Sequence, residues 1–310
     1  MNFVLIIGGL VLLILGGNWL LKSAVALSLK LEIPKIVIGM TVVSFATSAP
    51  ELIVSVKAAL IGKSDLALGN VIGSNIANLG LVLGITLLFG AMEIQKSFYK
   101  TDWPVMMIAS LMLYLFLFND HSIVQYEGII LFVSLLVFLV YILRFQKKAV
   151  VDELPEDDVP LPLYKIVLFF ILGGFGLWGG SELLINGATS LAKDFGVSDR
   201  LIAVTIISIG TSIPELAASI IAVIKKEKAI SLGNLIGSNI FNILAVLGIT
   251  SIITPVSVSD ERLLTNDIFW MLGISFIILP LVFFPKGFKL NWKDGLALLI
   301  GYVVFVYMTI

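Results

Sequence analysis

TVVSFATSAPEL, residues 41–52, and TIISIGTSIPEL, residues 205–216, open two stretches of this 310-residue chain that superimpose without a gap at an offset of 164 positions. Between residues 41–86 and 205–250, 23 of the 46 positions are identical, so the chain carries an internal duplication. Both copies are embedded in apolar sequence. With 59% hydrophobic residues, 13% charged residues and a mean hydropathy of +1.08, the chain has too little polar surface for a soluble globule.

Ten charge-poor apolar stretches follow one another: 3–21, 36–56, 66–92, 103–118, 128–143, 166–181, 201–224, 229–259, 268–285 and 296–310. With its flanks each reaches about 16 residues or more, close to the roughly 20 that a hydrocarbon core about 30 Å thick requires. Alternating segments of about ten residues are absent, which argues against a membrane barrel and for a helical bundle. The expected fold is an all-α integral membrane protein with ten transmembrane helices. Equivalent points in the two copies are five crossings apart, and an odd number of crossings turns the second copy upside down. The expected organisation is therefore two inverted five-helix repeats, 1–145 and 163–310, joined by an acidic, proline-containing linker at 146–162.

When loops are assigned alternately to the two sides, fifteen of the twenty basic residues fall on one side, among them Lys22, Lys30, Lys35, Lys96, Arg144, Lys165, Lys226 and Lys289. That side is expected to be cytoplasmic, with both termini extracellular in the cytoplasmic (plasma) membrane. The first stretch lacks a basic leader and a small-residue cleavage site, so it reads as a retained span. The absence of Cys removes disulfides and thiolate metal sites, and the lone His121 reads as a solvated loop residue.

The chemistry is concentrated where the copies agree. Glu51 and Glu215 are the only acids within their apolar segments, and an acid in hydrocarbon costs at least a few kcal/mol unless a pathway or partner uses it. Thr47 and Ser48 precede Glu51 by four and three residues, placing three oxygen-bearing side chains on one helical face, and Thr211, Ser212 and Glu215 repeat it. Pro50 and Pro214 offer no N–H to the carbonyls of Ala46 and Gly210, so main-chain oxygens are released there. Further along, GNVIGSNIAN from Gly69 and GNLIGSNIFN from Gly233 place Ser74 with Asn78, and Ser238 with Asn242, at four-residue spacing. Asn70, Asn75, Asn234 and Asn239 are read as partners for loosened backbone. Hydroxyl, carbonyl and carboxylate oxygens without His or Cys form a hard-oxygen set suited to calcium and sodium. Glu182, near the outer end of its span, reads as a structural or vestibule charge.

These paired motifs, in a five-plus-five arrangement, resemble the cation/calcium exchanger superfamily, and most closely prokaryotic sodium/calcium exchangers. The resemblance implies a ten-span antiporter in which Glu51 and Glu215 are ligands shared by both ions, helped by Thr47, Ser48, Ser74, Thr211, Ser212 and Ser238. By the same carry-over, the backbone carbonyls of Ser44 and Ser208 serve outer and inner sodium sites, and Asn78 and Asn242 lie at the centre. Ala46 stands where the family usually has Gly, and Asn242 where its potassium-dependent members carry Asp. The implied activity is exchange of sodium for calcium by alternating access, normally extruding calcium, with no enzyme activity and no cofactor. The expected partners are the lipid bilayer and the two ions, without nucleic acid or an obligatory protein partner. A proton-coupled or broader divalent-cation antiporter is the alternative within transporters, and a cation channel the alternative from another class.

Overall fold

A computed structural model describes residues 2–145, 161–196, 208–284 and 287–309. All of the linker expected at 146–162 except its last two residues, and the first part of the stretch expected at 201–224, lie outside the described residues.

The described chain is helical almost throughout. Helix α1 (Asn2–Leu31) is followed by a bent pair, α2 (Lys35–Thr47) and α3 (Ala49–Leu60), then α4 (Ser64–Phe89), α5 (Phe98–Asp120), α6 (Gln125–Phe145) and α7 (Leu163–Asp194). The three-residue α8 (Ser208–Gly210) and α9 (Ile213–Ile224) precede α10 (Lys228–Ile253), α11 (Leu263–Phe283) and α12 (Trp292–Thr309). Among the described residues eight helices are long and apolar enough to cross a membrane, and the α2–α3 pair makes a ninth if counted as one span.

Several helices outrun their apolar stretches. Thus α1 reaches Leu31 and α7 reaches Asp194 because helix continues into the polar zone once nucleated. Two others stop short of the expected 92 and 259: α4 ends at Phe89 and α10 at Ile253, where Pro255 disfavours continued helix. The residues beyond become strands. β1 (Met92–Glu93) pairs with β4 (Lys289–Leu290), and β2 (Ser122–Ile123) pairs with β3 (Val256–Ser257), both antiparallel. Each ribbon ties a loop of the first half to a loop of the second.

Burial ranks the helices. In α4 and α10, 78% and 83% of the most apolar window is buried, against 28–33% in the other full-length helices, so these two form the core and the rest face outward. Helices α1 and α7 pack along most of their length through glycines: a Cβ on Gly16 would lie 2.6 Å from the Leu177 nitrogen, and one on Gly173 2.6 Å from the Leu20 nitrogen. Such backbone contact is how helices associate in an apolar solvent, where burial of hydrocarbon gives little driving force.

Candidate ion-binding site

The two motifs do not form one helical face interrupted by a kink. Ser48 leaves the helix, with φ −88° and ψ 1°, and α3 departs from α2 at 45°. Ser212 repeats the geometry with φ −88° and ψ 2°. Pro50 and Pro214 then occupy the first turns of α3 and α9, where a missing N–H costs nothing. The expected face of three oxygens is thus divided: Thr47 ends one helix, Ser48 is the joint, and Glu51 lies in the first turn of the next.

Both copies converge on α4 and α10. Glu51 and Glu215 are fully buried, and their carboxylates are close enough to repel each other. The hydroxyls of Thr47, Ser48 and Ser238 surround the Glu215 carboxylate without reaching hydrogen-bonding geometry. Hydroxyls meet across the copies, with Thr47 Oγ1 3.3 Å from Ser238 Oγ and Thr211 Oγ1 3.2 Å from Ser74 Oγ. At the centre, Asn75 Nδ2 donates to the Asn239 carbonyl at 3.2 Å and Asn239 Nδ2 to the Asn75 carbonyl at 3.3 Å. Asn78 Nδ2 donates to Asn239 Oδ1 at 3.1 Å, and Asn242 Nδ2 to Asn75 Oδ1 at 3.0 Å. Nearly every bond has a twin 164 residues away. Asn75 and Asn239 therefore serve backbone of the opposite copy, whereas Asn70 reaches the Glu51 carbonyl of its own copy at 3.4 Å and Asn234 donates to the Ser219 hydroxyl.

Of the buried side-chain oxygens without a hydrogen-bond partner in normal geometry, eight belong to these motifs: Ser48 Oγ and Ser212 Oγ, both carboxylate oxygens of Glu51 and of Glu215, and Asn78 Oδ1 with Asn242 Oδ1. They too come in pairs offset by 164. An unmet buried polar group costs on the order of 1–3 kcal/mol, more when charged, so eight together rival the whole stability of a domain. A cation can satisfy carboxylate, amide and hydroxyl oxygens at once, and helices α4 and α10 widen to π geometry at Asn78–Val82 and Asn242–Leu247, beginning at the two central amides.

The other expected residues divide. Ser44 is buried, its hydroxyl lies within hydrogen-bonding distance of the carbonyls of Gly39 and Asn234 at 2.8 and 2.9 Å and donates to one of them, and its own carbonyl accepts the Ser48 N–H at 2.8 Å. Ser208 opens α8, and its side chain lies outside the described residues. The Gly210 carbonyl freed by Pro214 is taken by the Ser181 hydroxyl of α7 at 2.9 Å. Sequence reading missed Ser181 and also the pair Ser55 and Ser219, which receive Asn70 Nδ2 at 3.0 Å and Asn234 Nδ2 at 3.2 Å. The identity of positions 55 and 219 in the duplication was the available signal. It also placed Asp102 before its span, whereas Asp102 is fully buried at the π-helical start of α5 and accepts the Thr101 hydroxyl at 2.8 Å.

The family pattern described as sodium/calcium exchanger protein matches residues 1–144 and 165–310. The chain belongs to that family. It is 38% identical to CaxA of Alkalimonas amylolytica over 99% of this chain and 97% of that one. It is also 28% identical to the sodium/calcium exchanger MaX1 of Methanosarcina acetivorans over 98% and 97%. Its fold is that of the sodium-calcium exchanger NCX_Mj, with a TM-score of 0.84 at 24% identity, covering 99% and 98% of the two chains. This family member is accordingly a multi-pass membrane transporter of the cation/calcium antiport class, not an enzyme.

Proposed function

We propose that the chain exchanges sodium for calcium across the cytoplasmic membrane by alternating access, normally extruding calcium, through a site built by Glu51 and Glu215 with Ser48, Ser212, Asn78 and Asn242. The eight paired, unsatisfied oxygens carry this reading. Thr47, Ser74, Thr211 and Ser238 line the same space through their hydroxyls, and the carbonyls of Ser44 and Ser208 complete sodium coordination. Two carboxylates balance one calcium or two sodium ions, so the cargoes compete for one charge, and that competition couples their fluxes.

The proposed architecture has ten crossings in two inverted five-helix repeats, with both termini outside. Four contacts support it by joining loops that the charge rule assigns to one side. On the proposed cytoplasmic side these are β1 with β4 and Lys35 with Glu227; on the outer side, β2 with β3 and Asn2 with Asp194. A miscounted crossing between the partners would put them on opposite faces. The described state favours outward access: a cavity of about 140 Å³ borders Thr211, Glu182 and Lys57, whereas Thr47 is fully buried.

The test is calcium flux in proteoliposomes with sodium, proton and potassium gradients imposed one at a time. Uptake is expected with the sodium gradient alone; flux driven only by protons overturns the sodium assignment. Cysteines replacing Lys226 or Lys289 are expected to resist an impermeant label in intact cells, while those replacing Asp120 or Asp260 react. Labelling of position 226 from outside overturns the topology.

A further inference from the structure

The duplication continues into α1 and α7, where contacts reveal it better than identities do. A Cβ on Gly16 would lie 2.6 Å from the Leu177 nitrogen, and one on Gly180 2.8 Å from the Leu13 nitrogen. Likewise a Cβ on Gly173 would lie 2.6 Å from the Leu20 nitrogen, and one on Gly9 2.8 Å from the Leu184 nitrogen. Within each couple the two contacts are images at an offset of 164, so Gly17 and Asn18 of α1 correspond to Ser181 and Glu182 of α7.

Beyond each other, the two helices meet different things. Helix α1 packs on α9, with Gly17 directly against the Ile221 side chain. The image of that contact would set Ser181 against Lys57 and bring α7 onto α3. Instead α7 and α3 border a cavity of about 140 Å³. Four positions of α3, from Pro50 to Lys57, and four of α7, from Trp178 to Ile185, line it at the same i, i+3, i+4, i+7 spacing, so each helix turns one face to the other. One of the two equivalent contacts is made and the other stands open.

Their chemistry also differs. The made contact is neutral: Asn18 donates to the Ile14 carbonyl of its own helix at 2.7 Å, and Ile221 is apolar. At the open one Glu182 and Lys57 both line the cavity, both are exposed, and neither makes an ion pair among the described residues. Docking α7 on α3 would take both charges out of water, which a contacting opposite pair tolerates and a lone charge does not.

We infer that Glu182 and Lys57 form an ion pair across the outer mouth when α7 docks on α3, as α1 docks on α9 in the described state, and that this pair helps hold the ion site shut to the outside. The inference rests on the alternating-access reading and names the residues that regulate one of its two closures. Neither residue touches the cargo; both are positioning residues. Apart from Lys57, Glu182 presents its charge beside Thr211 and attracts arriving cations; paired, it no longer does. The inner side closes on Gly17 and Ile221 without charge, so only the outer closure responds to these charges.

The test measures the α3–α7 separation by pulsed electron spin resonance in nanodiscs, with nitroxides on cysteines replacing Leu60 and Asn186 in a chain that has no other Cys. Two separations are expected, the shorter being the docked state. Glu182→Gln and Lys57→Gln should each lower the docked population about threefold, and the double variant no further, because either change already removes the pair. Glu182→Lys should lower it more, and Lys57→Glu/Glu182→Lys should restore it. Unchanged melting temperatures separate these readouts from misfolding. Two separations whose populations ignore the charges, or losses that add in the double variant, overturn the pair and leave alternating access standing. A single separation in sodium, in calcium and without either ion overturns alternating access, and the pair with it.

Discussion

Thr47 and Thr211 are the same residue in the same motif, 164 positions apart, yet their surroundings differ. Thr47 is fully buried, donating to Asn234 Oδ1 at 3.1 Å with Ser238 beside it, whereas Thr211 is half-buried, meets Ser74 and lines a cavity. On the first side α2 is pressed against α10: a Cβ at Gly237 would fall 2.5 Å from the Met40 Cα, and one at Gly39 2.5 Å from the Ile230 carbonyl. The positions equivalent to Gly39 and Met40, 203 and 204, lie outside the described residues. The ligand chemistry is thus duplicated while the exposure of its two threonines is not. Two equivalent half-sites that differ in exposure are what alternating access requires of a single chain.

The largest effect should come from removing what the copies share. Glu51→Gln and Glu215→Gln are each expected to lower sodium-driven calcium flux by at least a hundredfold while the purified proteins stay folded. Replacing a costly buried acid by an amide would be tolerated or stabilising if the acids only filled space. Retained flux in both folded variants would end the ligand assignment.

Next comes the packing of the first side. Gly237→Ala drives a methyl into the Met40 backbone, so a destabilisation of about 1–3 kcal/mol is expected in denaturation of the detergent-solubilised protein. Unchanged stability in this variant would mean that α2 does not press on α10 at Gly237.

A smaller effect is expected at the Lys35–Glu227 pair, 2.9 Å apart with side chains 12% and 16% exposed. It bridges the start of α2 to the turn before α10, beside the closed packing. Breaking it with Lys35→Gln should cost about 1–3 kcal/mol, between the exposed and the buried limits, and raise cytoplasmic labelling of a cysteine placed at Thr47. The charge-swapped pair should restore protection. If Lys35→Gln leaves labelling unchanged, the pair has no part in closure.

The smallest effect concerns potassium. Asn242 offers an amide oxygen where an acid would add charge, and a unit charge at about 4 Å is worth roughly 4 kcal/mol at an effective dielectric of 20. Replacing potassium by choline at clamped voltage should change initial flux less than twofold. An absolute requirement would remove Asn242 as the determinant.

Much of this was legible in the sequence because the duplication preserves chemistry position by position. The buried acids, their Thr–Ser neighbours and the Ser–Asn pairs could be read from identity at one offset, and the structure brings them together. The local geometry was less legible. Helical spacing put Thr47, Ser48 and Glu51 on one face, but a proline within three residues of the first hydroxyl favours a break, and Ser48 takes it. The crossed bonds of Asn75 and Asn239 depend on how two distant helices meet, which no local pattern encodes. Likewise Asp102 looks like an interfacial residue by hydropathy and is buried only because α5 begins earlier, at Phe98.

The two ribbons carry a consequence for how the chain is made. Met92 and Glu93 wait for Leu290 and Lys289, and Ser122 and Ile123 for Ser257 and Val256, so the later pairing encloses the earlier one. As the polypeptide emerges from the ribosome, the inner ribbon can close once residue 257 is available, and the outer one only once residue 290 has followed. The amino-terminal half therefore spends most of synthesis with its connecting loops unpartnered. Closure of the outer ribbon is tied to synthesis of Lys289 and Leu290, and a nascent chain halted before residue 289 would remain unlatched on one face.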